Sequence, residues 1–216
     1  MAQDKSPAAT LQEAVDKLRR RWEKRFDEAA PRLGKWFALS VMQRSDRALE
    51  EILREAGLSV RFQMPRAAND VLQATTAENV SLIKSIAQQH LTQVEGLVMR
   101  SVQQGRDVGG LAKELEARYE ITRRRAELIA RTESNKATAM IQRVRQQSVG
   151  ITHAVWVHSR GSTHKRPSHV KAGEDKVVFE VAKGWFDPDE GEYIWPGTLI
   201  NCKCFSRPVL PKAKTA

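Results

Sequence analysis

The run Ile151-Thr152-His153-Ala154-Val155-Trp156-Val157-His158 mixes β-branched, aromatic and polar residues with the alternation of a strand buried on one face. It decides the fold because it marks a change of pattern just after Gly150. Upstream, apolar residues recur at steps of three and four. Downstream, they come in short runs at 151–157, 177–181, 193–195 and 202–205. The expected fold is therefore α+β: a mainly α-helical N-terminal two thirds followed by a small β-rich C-terminal module.

Working back from Gly150, Thr122 reads as the cap of a long helix with Ala126, Ile129, Ala130, Ala137, Met140, Ile141 and Val144 inward. Asp107 reads as the cap of a shorter helix ending near Tyr119. Thr75 with Glu78 three residues on is a capping-box signature for a helix ending near Gly105. Arg61-Phe62-Gln63-Met64 precedes Pro65 and is expected to be extended, since a residue before proline avoids the helical region. Two helical patterns lie further back, one carrying Leu11, Val15, Leu18, Trp22 and Phe26, the other running from Leu33 to Ala56. Pro31 is expected to separate them. The expected organisation is a partner-binding helical arm at 1–70, a helical part at 71–150, the β-rich module at 151–210 and a basic tail at 211–216.

The 216 residues can bury a substantial core, and none of them forms an apolar run long enough to span a bilayer. The opening residues lack the apolar run of a signal peptide, so synthesis in a cytoplasm is expected. Thirty-six Lys and Arg against twenty-six Asp and Glu give a formal charge of +10, which suits a polyanionic partner. Arg123, Arg124, Arg125, Arg143 and Arg145 on the long helix, with Lys165 and Arg166 in the following loop, are the expected DNA-contacting set.

Both cysteines and four of the five histidines fall after residue 150. On a strand, Cys202 and Cys204 would project from one face, and His164 and His169 could complete a Cys2His2 zinc site. The spacing is not that of a zinc finger, and the simpler alternative is two cysteines packed on a strand. His164, Arg166, His169 and Glu174 also contain the residue types of a nuclease-like centre, in which histidine moves protons and arginine steadies a phosphate. No paired metal-binding carboxylates or Gly-rich phosphate loop accompany them. A third reading has Arg166 and His169 holding the loop against the acidic turn that carries Asp187, Asp189, Glu190 and Glu192. Trp156, Trp185 and Trp195 are the expected core of the module, and Pro196-Gly197 a turn.

The order Ile129-Ala130-Arg131-Thr132-Glu133, Gly150, Trp156, Arg166-x-x-His169, Gly173, Phe179, Pro196-Gly197 and Asn201-Cys202-Lys203-Cys204 resembles the Mu F-like minor capsid proteins, the phage head morphogenesis domain of tailed bacteriophages and prophages. The segment Glu78-Asn79-Val80-Ser81-Leu82-Ile83-Lys84 is similar to that family's lead-in helix, so the likeness covers roughly 75–210. Lys203 stands where the family commonly has arginine, which keeps the charge but loses a bidentate fork. The resemblance implies a minor head protein of the virion, associated with the phage portal protein and acting in head assembly and DNA packaging or delivery. Double-stranded DNA and a major capsid or scaffold protein are further implied partners, and no membrane is. It implies no enzymatic activity and no cofactor, with zinc at His164, His169, Cys202 and Cys204 as the lesser reading. Arg131, Glu133, Trp156, Arg166, His169, Pro196, Gly197, Asn201, Cys202 and Cys204 become structural motif residues. The alternative function is a metal-dependent nucleic-acid enzyme built on the same histidines and cysteines.

Overall fold

The computed structural model describes residues 7–103, 108–159, 161 and 165–210. Three long helices come first: α1 (Pro7–Glu55), α2 (Arg66–Gln103) and α3 (Val108–Ser148). After them come β1 (His153–Val157), a short helix α4 (Pro167–Glu174), β2 (Val178–Glu180), β3 (Trp185–Asp187), β4 (Glu192–Ile194) and β5 (Phe205–Pro208). The α+β class with helices first and strands last is the one the hydropathy pattern indicates.

Several boundaries differ from the sequence expectation, each for a local reason. Pro31 lies inside α1 and does not end it. A proline removes one hydrogen bond, here the one to the Asp27 carbonyl, and full turns on both sides carry the helix past the gap. α2 starts at Arg66, and the Pro65 carbonyl takes the Asn69 N–H at 3.1 Å, so Thr75 lies in the helix interior. Thr122 is likewise interior to α3. Its hydroxyl bonds back to the Arg118 carbonyl at 3.0 Å and meets His90 Nδ1 at 2.9 Å. Asp107 and Gly105 lie outside the described residues.

The chain divides into two compact units, one drawn from Met1–Lys35 and Ala77–Ile129, the other from Trp36–Thr76 and Ala130–Ala216. In the first, α1 and α2 are joined by ion pairs of Arg19 with Glu95 and of Asp27 with Lys84, the latter at 2.8 Å. Leu18 and Trp22 of the expected apolar stripe are exposed in it.

The second unit holds both apolar clusters. Val41, Met42, Ala68, Ala137 and Ile141 form one, built wholly from helices. The other gathers Ile151, Ala154, Trp156, Phe179, Val181, Ile194, Cys202 and Cys204 of the strand-bearing region with Leu49 and Leu53 of α1. β1 is the middle strand of an antiparallel sheet ordered β2-β1-β5, with Ala154 opposite both Phe179 and Pro208. Its buried positions are Ala154 and Trp156, as period-two alternation requires. β3 and β4 pair separately, Asp187 facing Glu192.

α3 supplies two different faces to this unit. Ala137 and Ile141 turn into the helical cluster, and Val144 packs against it. Thr132, Asn135, Gln142, Arg143 and Gln146 meet the strand-bearing region through polar groups. The Asn201 N–H donates to Thr132 Oγ1 at 3.1 Å, and Asn135 Nδ2 donates to the Cys202 carbonyl at 2.8 Å. Arg143 donates to the Ala182 carbonyl at 2.8 Å and stacks on Trp195, and Gln146 reaches Ser206.

Candidate functional site

The segment 165–169, read as loop, begins a helix at Pro167. Arg166 in extended conformation precedes it, and proline suits the first helical position because its missing N–H would be unpaired there anyway. α4 buries Ser168, His169 and Ala172 on one side. Gly173 lets it lie against β1, since a Cβ there would sit 2.4 Å from His158 Cβ.

His169 is 2% exposed and uses both ring nitrogens inward. Nε2 lies 3.0 Å from Oδ2 of Asp187, which is fully buried. A carboxylate accepts only, so Nε2 carries the proton and Nδ1 presents a lone pair. That lone pair faces Cys202 Sγ at 3.5 Å and Cys204 Sγ at 3.8 Å. The cysteines are 4% and 7% exposed, unbonded to each other, and the three donor atoms all lie within 4.8 Å of one another.

The Asp187 carboxylate is itself held in place. Oδ1 accepts the Asp189 N–H at 3.0 Å, and Asp189 Oδ2 accepts the Ser168 N–H at 3.1 Å, which joins the β3–β4 turn to the start of α4. Arg166 reaches Glu190 and the Ile200 carbonyl, both at 3.3 Å. The acidic turn therefore takes up Arg166 and His169 together.

The cysteines do not sit on a strand. Asn201 has a left-handed φ of 57°, the Cys202 N–H closes a turn on the Leu199 carbonyl at 3.0 Å, and β5 starts only at Phe205. The sulfurs share a side because the turn and α3 hold them there, not because of strand alternation. Gly197, at φ 94°, lets this turn approach α3, since a Cβ would meet the Cys204 and Asn135 carbonyl oxygens at 3.1 and 3.2 Å.

The two thiols are unequal. Cys202 is pulled well below the usual thiol range, first by the hydrogen bond from Cys204 and, against the effect of burial, by the backbone N–H groups of Cys204 and Gly197. Cys204 is pushed up, first by donating to Cys202 and then by burial. Trp156 Nε1 is buried without a hydrogen-bond partner, and its ring meets His169 edge-on with centroids 4.9 Å apart.

The expected DNA-contacting residues do not share one environment. Arg123, Arg124 and Arg125 are exposed on α3 in the first unit, with Arg123 paired to Glu120 and Glu127 at 2.9 and 2.8 Å. Lys165 is exposed, and Arg143 is half-buried on Trp195. Arg145 does not belong with them. It is 2% exposed, grips both Asp46 carboxylate oxygens at 2.7 and 2.8 Å, and also donates to the Gln63 carbonyl. A polar face of α3 is needed against the rest of the unit, and Arg145 is part of it.

Of the motif residues, Trp156, His169, Pro196, Gly197, Cys202 and Cys204 are buried around one corner, with Asn201 bonded to Thr132 beside them. Glu133 is also buried, whereas Arg131 is exposed. His164 lies outside the described residues. Sequence reasoning named Asp187 only as one of four acids in a turn that holds Arg166 and His169, and it gave no role to Thr132 and Asn135. Thr132 sits inside the Arg-Thr-Glu signature, and the spacing 132, 135, 139, 142 and 146 marks a second helix face that apolar periodicity ignores.

A family model described as Phage Mu protein F like protein matches residues 92–207, which spans α3 and the whole histidine–cysteine corner. The chain belongs to this family. That places it among phage head morphogenesis proteins of the Mu F type, in agreement with the motif order in the sequence. It is also 32% identical over 158 residues to an uncharacterized protein of Haemophilus influenzae, a match covering 72% of this chain and 34% of that protein. The match thus spans about a third of that relative's length. No solved structure matches the chain. Among the described residues of this Mu F-like chain, no helix is long and apolar enough to cross a membrane.

Proposed function

We propose that the chain is a minor head protein of a tailed bacteriophage or prophage, located in the virion at the portal vertex and acting in head assembly and DNA packaging or delivery. The observation that carries this reading is the Mu F-like match over 92–207. The geometry of the same region supports a structural role over a catalytic one. His169, Asp187, Cys202 and Cys204 are turned inward, and both ring nitrogens of His169 are engaged with buried groups. A general base or phosphate-binding centre has to meet its substrate, and these side chains meet one another.

The portal protein is the proposed principal partner, with the exposed apolar side chains Leu18 and Trp22 of α1 as the contact. Co-expression with the portal protein of the same phage tests it: the chain should co-purify with the portal oligomer, and Trp22→Asp should release it. Recovery of portal oligomer free of the chain, under conditions that keep the oligomer intact, overturns the portal reading. A digestion assay on plasmid and linear DNA with added divalent metal separates the enzymatic alternative. Cleavage abolished by His169→Ala would show a nuclease, whereas no cleavage is expected.

A further inference from the structure

We propose that His169, Cys202 and Cys204 bind a zinc ion, with Asp187 as the carboxylate that orients the histidine. The inference does not depend on the portal reading, because it concerns how the corner is held together.

Four independent features of the corner fit a metal. The first is spacing. Zinc bonds of about 2.3 Å to sulfur and about 2.0–2.1 Å to nitrogen, at tetrahedral angles, put sulfur and nitrogen roughly 3.5–3.6 Å apart. His169 Nδ1 lies 3.5 Å from Cys202 Sγ and 3.8 Å from Cys204 Sγ, so an ion fits between them with movements of a few tenths of an ångström. The second is direction, since the ring nitrogen facing the sulfurs is the unprotonated one, left free by the bond of Nε2 to Asp187. A carboxylate on the far nitrogen of a ligating histidine fixes the tautomer and raises its basicity.

The third feature is the surroundings of the sulfurs. The Trp156 indole N–H is buried in the same cluster as both sulfurs without a hydrogen-bond partner, and a metal-bound thiolate would give it a strong acceptor. The fourth is the donor set. Two soft sulfurs and an imidazole suit zinc and disfavour magnesium, calcium and manganese, which take oxygen. One corner of the tetrahedron is left to a donor outside this trio.

The full chain, purified without chelator, should contain close to one zinc per molecule by elemental analysis. Replacement by cobalt(II) should give the sulfur-to-cobalt charge-transfer absorption of a two-thiolate site. Cys202→Ser and Cys204→Ser should each lose the metal. Because either variant could fail to fold, Asp187→Asn supplies the second arm. It keeps all three ligands and should weaken zinc affinity roughly 10–100-fold in competition with a chromophoric chelator. A folded, metal-free chain that gives no charge-transfer band with cobalt overturns the proposal. So does a mass two hydrogens short, which would show a Cys202–Cys204 disulfide, or a bound zinc whose affinity Asp187→Asn leaves unchanged.

Discussion

Arg145 looks like its neighbours in the sequence and behaves unlike them in the fold. Arg123, Arg124 and Arg125 lie in water, whereas Arg145 carries its charge inward because Asp46, 99 residues away, meets both of its guanidinium donors. Removing one member of a buried pair leaves the other charge without compensation, which costs far more than a surface ion pair is worth. Asp46→Ala should therefore lower the unfolding free energy by about 3 kcal/mol, read from the urea midpoint at unchanged slope. Arg123→Ala should leave the urea midpoint close to that of the parent in the same measurement. A shift for Asp46→Ala no larger than that of Arg123→Ala would show the pair to be dispensable. The same distinction explains what was legible at this scale. His169, Cys202 and Cys204 could be singled out by residue type, since few such residues occur and all but His90 lie after residue 150. Asp187 could not, because it is one of four acidic residues in a turn, and only the pairing of β3 with β4 directs it at the imidazole.

The three long helices were legible as helices but not as the lengths they take. Apolar periodicity reports the face of a helix and says little about whether a break is tolerated, so Pro31 and Thr122 read as boundaries and proved to be interior. Pro31 is exposed, and its ring leaves the Asp27 carbonyl without its helical donor. Pro31→Ala should restore that bond and raise stability by about 1–3 kcal/mol, seen as a higher melting temperature and a small gain in helical circular dichroism. A lower melting temperature would mean that α1 depends on the proline. The short elements were the hardest to read. α4 has only eight residues, and its one clear signal is the proline at its first position. β3 has three residues, too few to show alternation. The 202–205 run looked like a strand because cysteine and phenylalanine suit one, but the left-handed Asn201 and the bond from Asn135 to the Cys202 carbonyl turn it into a corner.

At the scale of the molecule, the charge of +10 is legible from composition, and its placement is not. The exposed cluster Arg123, Arg124 and Arg125 should give DNA binding that falls steeply with salt and ignores sequence, since lysine and arginine act by releasing counterions from phosphates. Changing all three to Glu should weaken binding to unrelated duplexes by the same factor and flatten the salt slope. Binding that does not change would assign that face to an acidic protein partner. The second unit has a different consequence, one for the order of events during synthesis. Its first piece, Trp36–Thr76, leaves the ribosome well before its second, Ala130–Ala216, with Ala77–Ile129 between them. Until then Leu49, Leu53, Val41 and Met42 lack the part of their clusters that comes from residues 137–204, and Asp46 waits for Arg145. β1 can pair with β2 soon after it emerges, but its other edge is closed only by β5, the last of the described strands in chain order. A nascent chain halted before Phe205 therefore exposes an unpaired strand edge beside an open core, the state in which a protein of this build is most prone to aggregate.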